Sequence, residues 1–416
     1  MTAIAALAGF SAYFSMYALR KPFTAVTYDN IDDWHYALKF KIALVIAQVI
    51  GYATSKMIGI KVISEMPATR RGQAILFLMG LGWLALVLFA IVPTPLKIVA
   101  MFLNGLPLGM IWGLVFGYME GRRTSEVLGA VLCASFIISS GVVKSVGLLS
   151  IQWLHVPELW MPAFTALLFA PVLAVSVWVL VSLPAPTASD ESARVKRAPM
   201  NQQQRAEFLA HYGLGILALV LTYMFATALR DLRDNFAVEL WVSLGYSNPA
   251  GLFTASELPV AMVALLAMAL IIMIKDNRKA LGVIHALIGG GLVILGLSTM
   301  AYDLAYIGPI TWMILAGAGL YMAYTPFNAM LFDRLVAVSH RVATAGFLIY
   351  LADSAGYASS VGLILWRNFG TAHLSWLNLF RLACYSTAIC GTLLCAAAWW
   401  YFSHRTRAIN PNHADA

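Results

Sequence analysis

The chain has 416 residues, of which 61% are apolar and only 11% charged, against roughly 25% charged in an average soluble domain. A mean hydropathy of +0.79 excludes a soluble domain, which would show water more apolar surface than it tolerates, and equally excludes a disordered chain. The net charge of +8 fits basic loops at a membrane surface rather than a nucleic-acid footprint.

The apolar runs are about 20 residues or longer, so helices, not the shorter alternating strands of a barrel, are predicted to cross the bilayer. Twelve spans are predicted, at 3–27, 36–63, 72–92, 95–118, 126–152, 157–183, 208–238, 250–274, 279–301, 304–331, 341–367 and 373–403. The fold class is all-α and polytopic, because a backbone facing lipid must satisfy its own hydrogen bonds. The first run lacks a basic leader and continues through Tyr13 and Tyr17 to Arg20, so it is read as a span and not as a cleaved signal. Cys133, Cys384, Cys390 and Cys395 all fall in apolar runs without metal-ligand spacing and are read as packing residues. No metal site, cofactor or nucleotide-binding loop is expected.

Lys and Arg set the orientation. Arg70, Arg71, Arg122, Arg123, Arg194, Lys196, Arg197, Arg205, Lys275, Arg278, Lys279, Arg334, Arg341, Arg405 and Arg407 fall in one set of connections, while the other holds mainly Lys39, Lys97 and Arg367. The basic set is expected to face the cytoplasm, with both termini inside. The longest connection, 184–207, carries PAPTASDESARVKRAP and separates six spans from six. It is read as a flexible cytoplasmic linker between an N-terminal half, 1–183, and a C-terminal half, 208–416.

The halves repeat each other in order. Tyr13, Ala18, Leu19 and Arg20 match Tyr223, Ala228, Leu229 and Arg230 at an offset of 210. Leu103, Gly105, Leu108, Met110 and Arg122 match Leu315, Gly317, Leu320, Met322 and Arg334 at 212, and Ser139, Gly141 and Ser145 through Leu148 match Ser354, Gly356 and Ser360 through Leu363 at 215. Two such halves suggest alternating access by rocking about a site at their interface. In this the chain resembles the major facilitator superfamily, which implies that fold. The superfamily's loop signature between spans 2 and 3 is altered: Arg70, Arg71 and Gly72 are present but the acidic residue is displaced to Glu65.

A charge in hydrocarbon costs at least about 2.5–3.5 kcal/mol, so charges within spans face a cavity, pair or snorkel. The basic ones are Arg20, Lys21, Lys56, Lys144, Arg230 and Arg233, and the acidic ones Asp231, Asp234, Glu257 and Asp353. Arg20 and Arg230 are repeat-equivalent. Two guanidiniums facing one cavity repel unless an anion sits between them, and their forks suit phosphate or carboxylate. Tyr13 and Tyr17 precede Arg20 on one helical face, and Tyr223 and Thr227 repeat that spacing before Arg230. The alternatives are snorkelling of both arginines and an i+4 pair of Arg230 with Asp234. Lys56 shares a face with Gln48 and Tyr52, and either snorkels or contacts substrate. Lys144 lies on a serine face with Ser140 and either binds an anion or pairs with a carboxylate. Asp353 is flanked by Tyr350 and Tyr357, and is either a proton carrier or a fixed partner of Arg230, Arg233 or Lys144. Glu257 precedes Pro259, where interfacial solvation is the expected explanation. Asp231, Arg233, Asp234 and Glu257 are further coupling or gating candidates. Asn104, Trp112, Tyr321, Tyr324 and Asn328 are candidates for lining the cavity.

The stretch from Ala12 to Phe23, with Tyr17, Arg20, Lys21 and Phe23, is similar to the first helix of the organophosphate:phosphate antiporters, the family of the glycerol-3-phosphate and hexose-6-phosphate transporters. Leu229-Arg230 resembles that family's seventh-helix motif, and Tyr52, Ser55 and Lys56 its second-helix Ser-Lys pair. The resemblance implies that Arg20 and Arg230 bind phosphate. The family's fifth-helix histidine signature is missing, with Ile138 to Gly141 in its place. The expected function is therefore secondary transport of a small anionic solute, phosphate or a phosphorylated metabolite, by anion exchange. The expected protein is a monomer in the cytoplasmic membrane with no nucleic-acid partner, and not an enzyme. The alternatives are a proton-coupled symporter or exporter of another organic anion, using Asp353 or Asp234, and a transporter-like metabolite sensor.

Overall fold

The computed structural model describes residues 2–29, 31, 33–119, 125–184, 202–339, 343–370 and 374–407. Among the described residues the regular structure is helical, with no strand. The helices are α1 (Thr2–Arg20), α2 (Phe40–Glu65), α3 (Ala68–Ile91), α4 (Thr94–Leu108), α5 (Ile111–Phe116), α6 (Ser125–Leu154), α7 (Met161–Leu168) and α8 (Ala170–Val181). After the connection follow α9 (Gln202–Asn235), α10 (Ala237–Ser243), α11 (Ala250–Ile272), α12 (Asn277–Asp303), α13 (Pro309–Ala329), α14 (Leu331–Ser339), α15 (Ala345–Phe369) and α16 (Trp376–Arg407). Most of the linker, Arg122, Arg123 and Arg341 lie outside the described residues.

Among the described residues ten helices are long and apolar enough to cross a membrane, and eleven if α7 and α8, bent by 43°, form one span. Pro171 in the first turn of α8 lacks the N–H that would bond back across the bend. The predicted span not among these is the tenth, 304–331, which corresponds to α13. At 21 residues it is long enough, but Tyr321, Tyr324, Thr325, Pro326 and Asn328 dilute its apolar content, and most of that polar end is buried. Several predicted spans, each a single apolar run in the sequence, are broken in the structure. Span 1 stops its α-helix at Arg20 and passes into a short 3-10 turn, Pro22–Ala25, because Pro22 cannot donate to the preceding turn. Span 4 breaks between Leu108 and Ile111, just after Pro107.

The apolar residues that water would reject lie outside, as hydrocarbon solvent allows. On α3 the exposed stripe is Phe77, Leu81, Leu84, Leu88 and Ile91, and on α11 it is Leu258, Met262, Leu266 and Leu270, both at helical spacing. The inward faces carry small, aromatic and polar groups. α6 is the most enclosed span, 78% of its apolar window being buried, and Ser135, Ser139, Ser140, Lys144 and Ser145 make up its buried polar face.

The chain packs as two compact units. Unit 1 holds Met1–Arg194 with Asp231–Ala261 and Val361–Leu379, and unit 2 holds Val195–Arg230, Met262–Ser360 and Phe380–Ala416. Their boundary runs through α9, between Arg230 and Asp231, and through α11, α15 and α16. In unit 1, α2 and α4 touch backbone to backbone. A Cβ on Gly51 would stand 2.2 Å from the Phe102 carbonyl oxygen, one on Gly105 2.3 Å from that of Gln48, and one on Gly109 2.4 Å from that of Tyr52. Only glycine permits that approach.

Candidate functional site

In unit 1 the site is built around the end of α1. Arg20 is buried, 5% exposed. Its guanidinium carbon stands 3.8 Å from the ring centroid of Tyr52 and 5.9 Å from that of Tyr17, geometry that places the cation on the face of an aromatic ring. Tyr13 meets Tyr17 and Trp112 edge-on at 5.6 and 5.1 Å. The tyrosines predicted to lead to Arg20 therefore form an aromatic surround for it. Lys56, half-buried, holds its ammonium 5.5 Å from the Tyr52 centroid.

Next to Arg20 is an ionic cluster. Lys21 places its Nζ 2.5 Å from Asp234 Oδ2 and donates to Asn235 Oδ1 at 2.7 Å. Lys144 donates to Asp234 Oδ1 at 2.5 Å and to the Asp234 carbonyl at 2.7 Å, and the Ser140 hydroxyl donates to the same carboxylate. One carboxylate is thus held by two ammonium groups. Lys144, expected either to bind an anion or to pair with a carboxylate, here stands on the Asp234 carboxylate. Arg233 Nη1 pairs with Glu257 Oε1 at 2.5 Å. This corrects the expectation for Glu257: an arginine, not interfacial solvation, accounts for it. Arg233 is thereby also placed on a carboxylate of its own unit. Asp231 is buried beside them in the sequence, at 2% exposure. Among these named groups, the cations Arg20, Lys21, Lys144 and Arg233 outnumber the carboxylates Asp231, Asp234 and Glu257 by one.

Unit 2 has a different site. Arg230 Nη1 donates to the Tyr324 hydroxyl, and its guanidinium carbon stands 4.4 Å from the Tyr324 ring centroid. Tyr223 stacks on Tyr324 with centroids 5.2 Å apart and hydroxyls 3.0 Å apart. The Tyr223 hydroxyl also donates to Asp353 Oδ1 at 2.6 Å, and Asn328 Nδ2 donates to that hydroxyl at 3.2 Å. Tyr223, Arg230, Tyr324 and Asp353 are therefore brought together. Thr227 faces elsewhere: it is 1% exposed and packs where a Cβ on Gly356 would fall, 2.9 Å from its hydroxyl.

Sequence reasoning missed several partners. From the sequence Lys21 reads only as a charge within a span, and Asn235 carries no signal. Lys41, at the start of α2, is buried and pairs with Glu239 at 2.7 Å while donating to the Thr24 carbonyl at 2.9 Å. Asn104, expected to line a cavity, is fully buried, and its amide is spent on Gln48 and on the carbonyls of Leu19 and Gly82.

The family described as a family of unknown function, DUF5690, matches residues 22–405. The chain belongs to DUF5690. None of the curated proteins matches this DUF5690 chain in sequence. Among solved structures, the crystal structure of a D-xylose-proton symporter aligns with it at a TM-score of 0.63 and 15% identity, over 96% of this chain and 97% of that one. This DUF5690 chain is accordingly a multi-pass membrane protein with the major facilitator fold. At that identity the likeness speaks for the fold.

Proposed function

We propose that the chain is a secondary transporter of a small anionic solute, phosphate or a phosphorylated metabolite, with Arg20 and Arg230 as the groups that contact the anion. The observation that carries this reading is the excess of one cation among the named groups around the end of α1. Lys21, Lys144 and Arg233 are engaged with carboxylates, Asp231 is the third acid, and the sum over the cluster leaves one buried positive charge. Burying a net charge in a membrane protein is costly, and a solute anion offsets it. A guanidinium lying on Tyr52 keeps its planar fork pre-set for a bidentate oxyanion. Access alternates between two six-helix halves, 1–183 and 208–416. The anion neutralises the site and permits closure, so return without an anion is disfavoured and exchange results. Both termini face the cytoplasm, the protein is a monomer, and the membrane is the cytoplasmic membrane. Phosphate–phosphate exchange in proteoliposomes tests the reading. It is expected in the wild type and lost in Arg20→Ala and Arg230→Ala, and exchange retained in both variants would contradict it.

A second reading, proton-coupled transport of an organic anion, is favoured by one contact. Asp353 is a buried carboxylate, 5% exposed, that accepts a hydrogen bond from the Tyr223 hydroxyl. The aligned solved structure is named as a proton symporter. Solute uptake driven by an inward pH gradient and lost in Asp353→Asn would favour it over exchange.

A further inference from the structure

The carbonyl end of α1 is held by two side-chain amides that come from other helices. A helix that continued past Arg20 would satisfy the Arg20 carbonyl with the Thr24 N–H, but here Thr24 N–H donates to the Lys21 carbonyl at 3.0 Å. Gln48, from α2, takes over: its Nε2 donates to the Arg20 carbonyl at 3.0 Å and to Asn104 Oδ1 at 2.7 Å. Asn104, from α4, donates to the Leu19 carbonyl at 3.2 Å and to the Gly82 carbonyl of α3 at 3.0 Å. Both amides are buried, Gln48 at 3% and Asn104 at 0% exposure. Their orientation is self-consistent, because turning Asn104 over would set its oxygen against two carbonyls and its nitrogen against a donor. The network rests on the α2–α4 seam, where Gly105 lies against Gln48 and Gly109 against Tyr52. One rigid pair of helices therefore carries both the amide that holds the Arg20 backbone and the ring that supports its guanidinium.

We infer that Gln48 and Asn104 are positioning residues for anion recognition by Arg20. The inference rests on the proposed anion-binding role of Arg20. The amides touch the backbone of Arg20 and act on the anion only through it. They fix the last turn of α1 in place of the hydrogen bonds that Pro22 and the 3-10 turn divert, and so fix the direction in which the arginine leaves the helix. Without them a buried carbonyl loses its partner and the turn relaxes toward another donor. A fork displaced from its bidentate geometry keeps its charge but loses affinity.

The test is phosphate exchange in proteoliposomes, with KM and maximal rate measured for the wild type, Gln48→Met and the milder Asn104→Ser, each normalised to folded protein. Gln48→Met is expected to raise KM about tenfold, the factor that corresponds to about one hydrogen bond. Asn104→Ser, which keeps one donor, is expected to raise it about threefold, and in both the maximal rate stays within about twofold of wild type. In an Arg20→Lys background, where no planar fork remains to be aimed, Gln48→Met is expected to change KM less than about twofold. Wild-type exchange with KM unchanged in both amide variants would overturn the inference alone. So would the same rise in KM in the Arg20→Lys background, or a fall in maximal rate at constant KM, the mark of a merely structural role. A wild type that exchanges no phosphate would overturn the anion reading and the inference with it.

Discussion

Arg20 and Arg230 occupy the same place in the repeat, at an offset of 210, yet their surroundings have diverged. Around Arg20, unit 1 gathers lysines, carboxylates and an aromatic face, with one cation in excess. Around Arg230, unit 2 places two stacked tyrosines, an asparagine and Asp353, so one arginine is matched by one carboxylate. The repeat preserves the arginine's place in the sequence, but Arg20 ends α1 whereas α9 continues past Arg230 to Asn235. What the arginine meets is set by residues on other helices, and those were free to change. On the proposed reading the first site receives an external anion, while the second holds its own carboxylate, linked to tyrosine hydroxyls.

Substitutions can break this contrast in decreasing order of effect. Arg20→Ala is expected to lower phosphate exchange about a hundredfold or more, since a charge-assisted bidentate contact is lost from a buried site. A loss of less than about threefold in proteoliposome flux would remove Arg20 from the site. Asp234→Ala leaves Lys21 and Lys144 without the carboxylate they share, and breaking a buried pair costs about 3–5 kcal/mol. Thermal unfolding in detergent should show a drop of that order, partly restored in the Asp234→Ala, Lys144→Met double variant, which removes one stranded charge. No recovery in the double variant would mean that the two lysines are not what the aspartate neutralises. Gly105→Ala would force a Cβ to within 2.3 Å of the Gln48 carbonyl oxygen, and overpacking of this kind costs about 1–3 kcal/mol. The expected result is a lower unfolding temperature with a raised KM, because the seam and the amide network move together. Lys56→Ala is expected to change exchange less than about twofold, since its ammonium lies at 5.5 Å from the Tyr52 ring and is half-buried. A larger effect would extend the anion site along α2.

Much of the fold was legible from residue order alone. Long apolar runs and basic loops announce spanning helices, because hydrocarbon leaves the backbone no other way to satisfy itself. The breaks were less legible. Pro22, Pro107 and Pro171 each sit near one, but a proline permits a kink without requiring it, and Pro259 lies inside the unbroken α11. Arg20, Tyr17, Tyr52 and Arg230 were legible because a charge or ring in a span has few explanations. Their partners were not. Asp234 finds Lys21 across 213 residues and Lys144 across 90, and its sequence neighbour Arg230 suggested a different match. Gln48 and Asn104 are neutral amides with no periodic mark, and their role exists only because α1 ends where α2, α3 and α4 can reach its carbonyls. Lys41 was hidden by its position at the margin of an apolar run.

The central claim is that Arg20 and Arg230 receive a solute anion, and labelled phosphate entering phosphate-loaded proteoliposomes measures it most directly. Rapid entry that requires internal phosphate, and that disappears in Arg20→Ala and in Arg230→Ala while both remain folded, is the predicted result. Entry that persists in both variants, or none in a folded wild type, would contradict it.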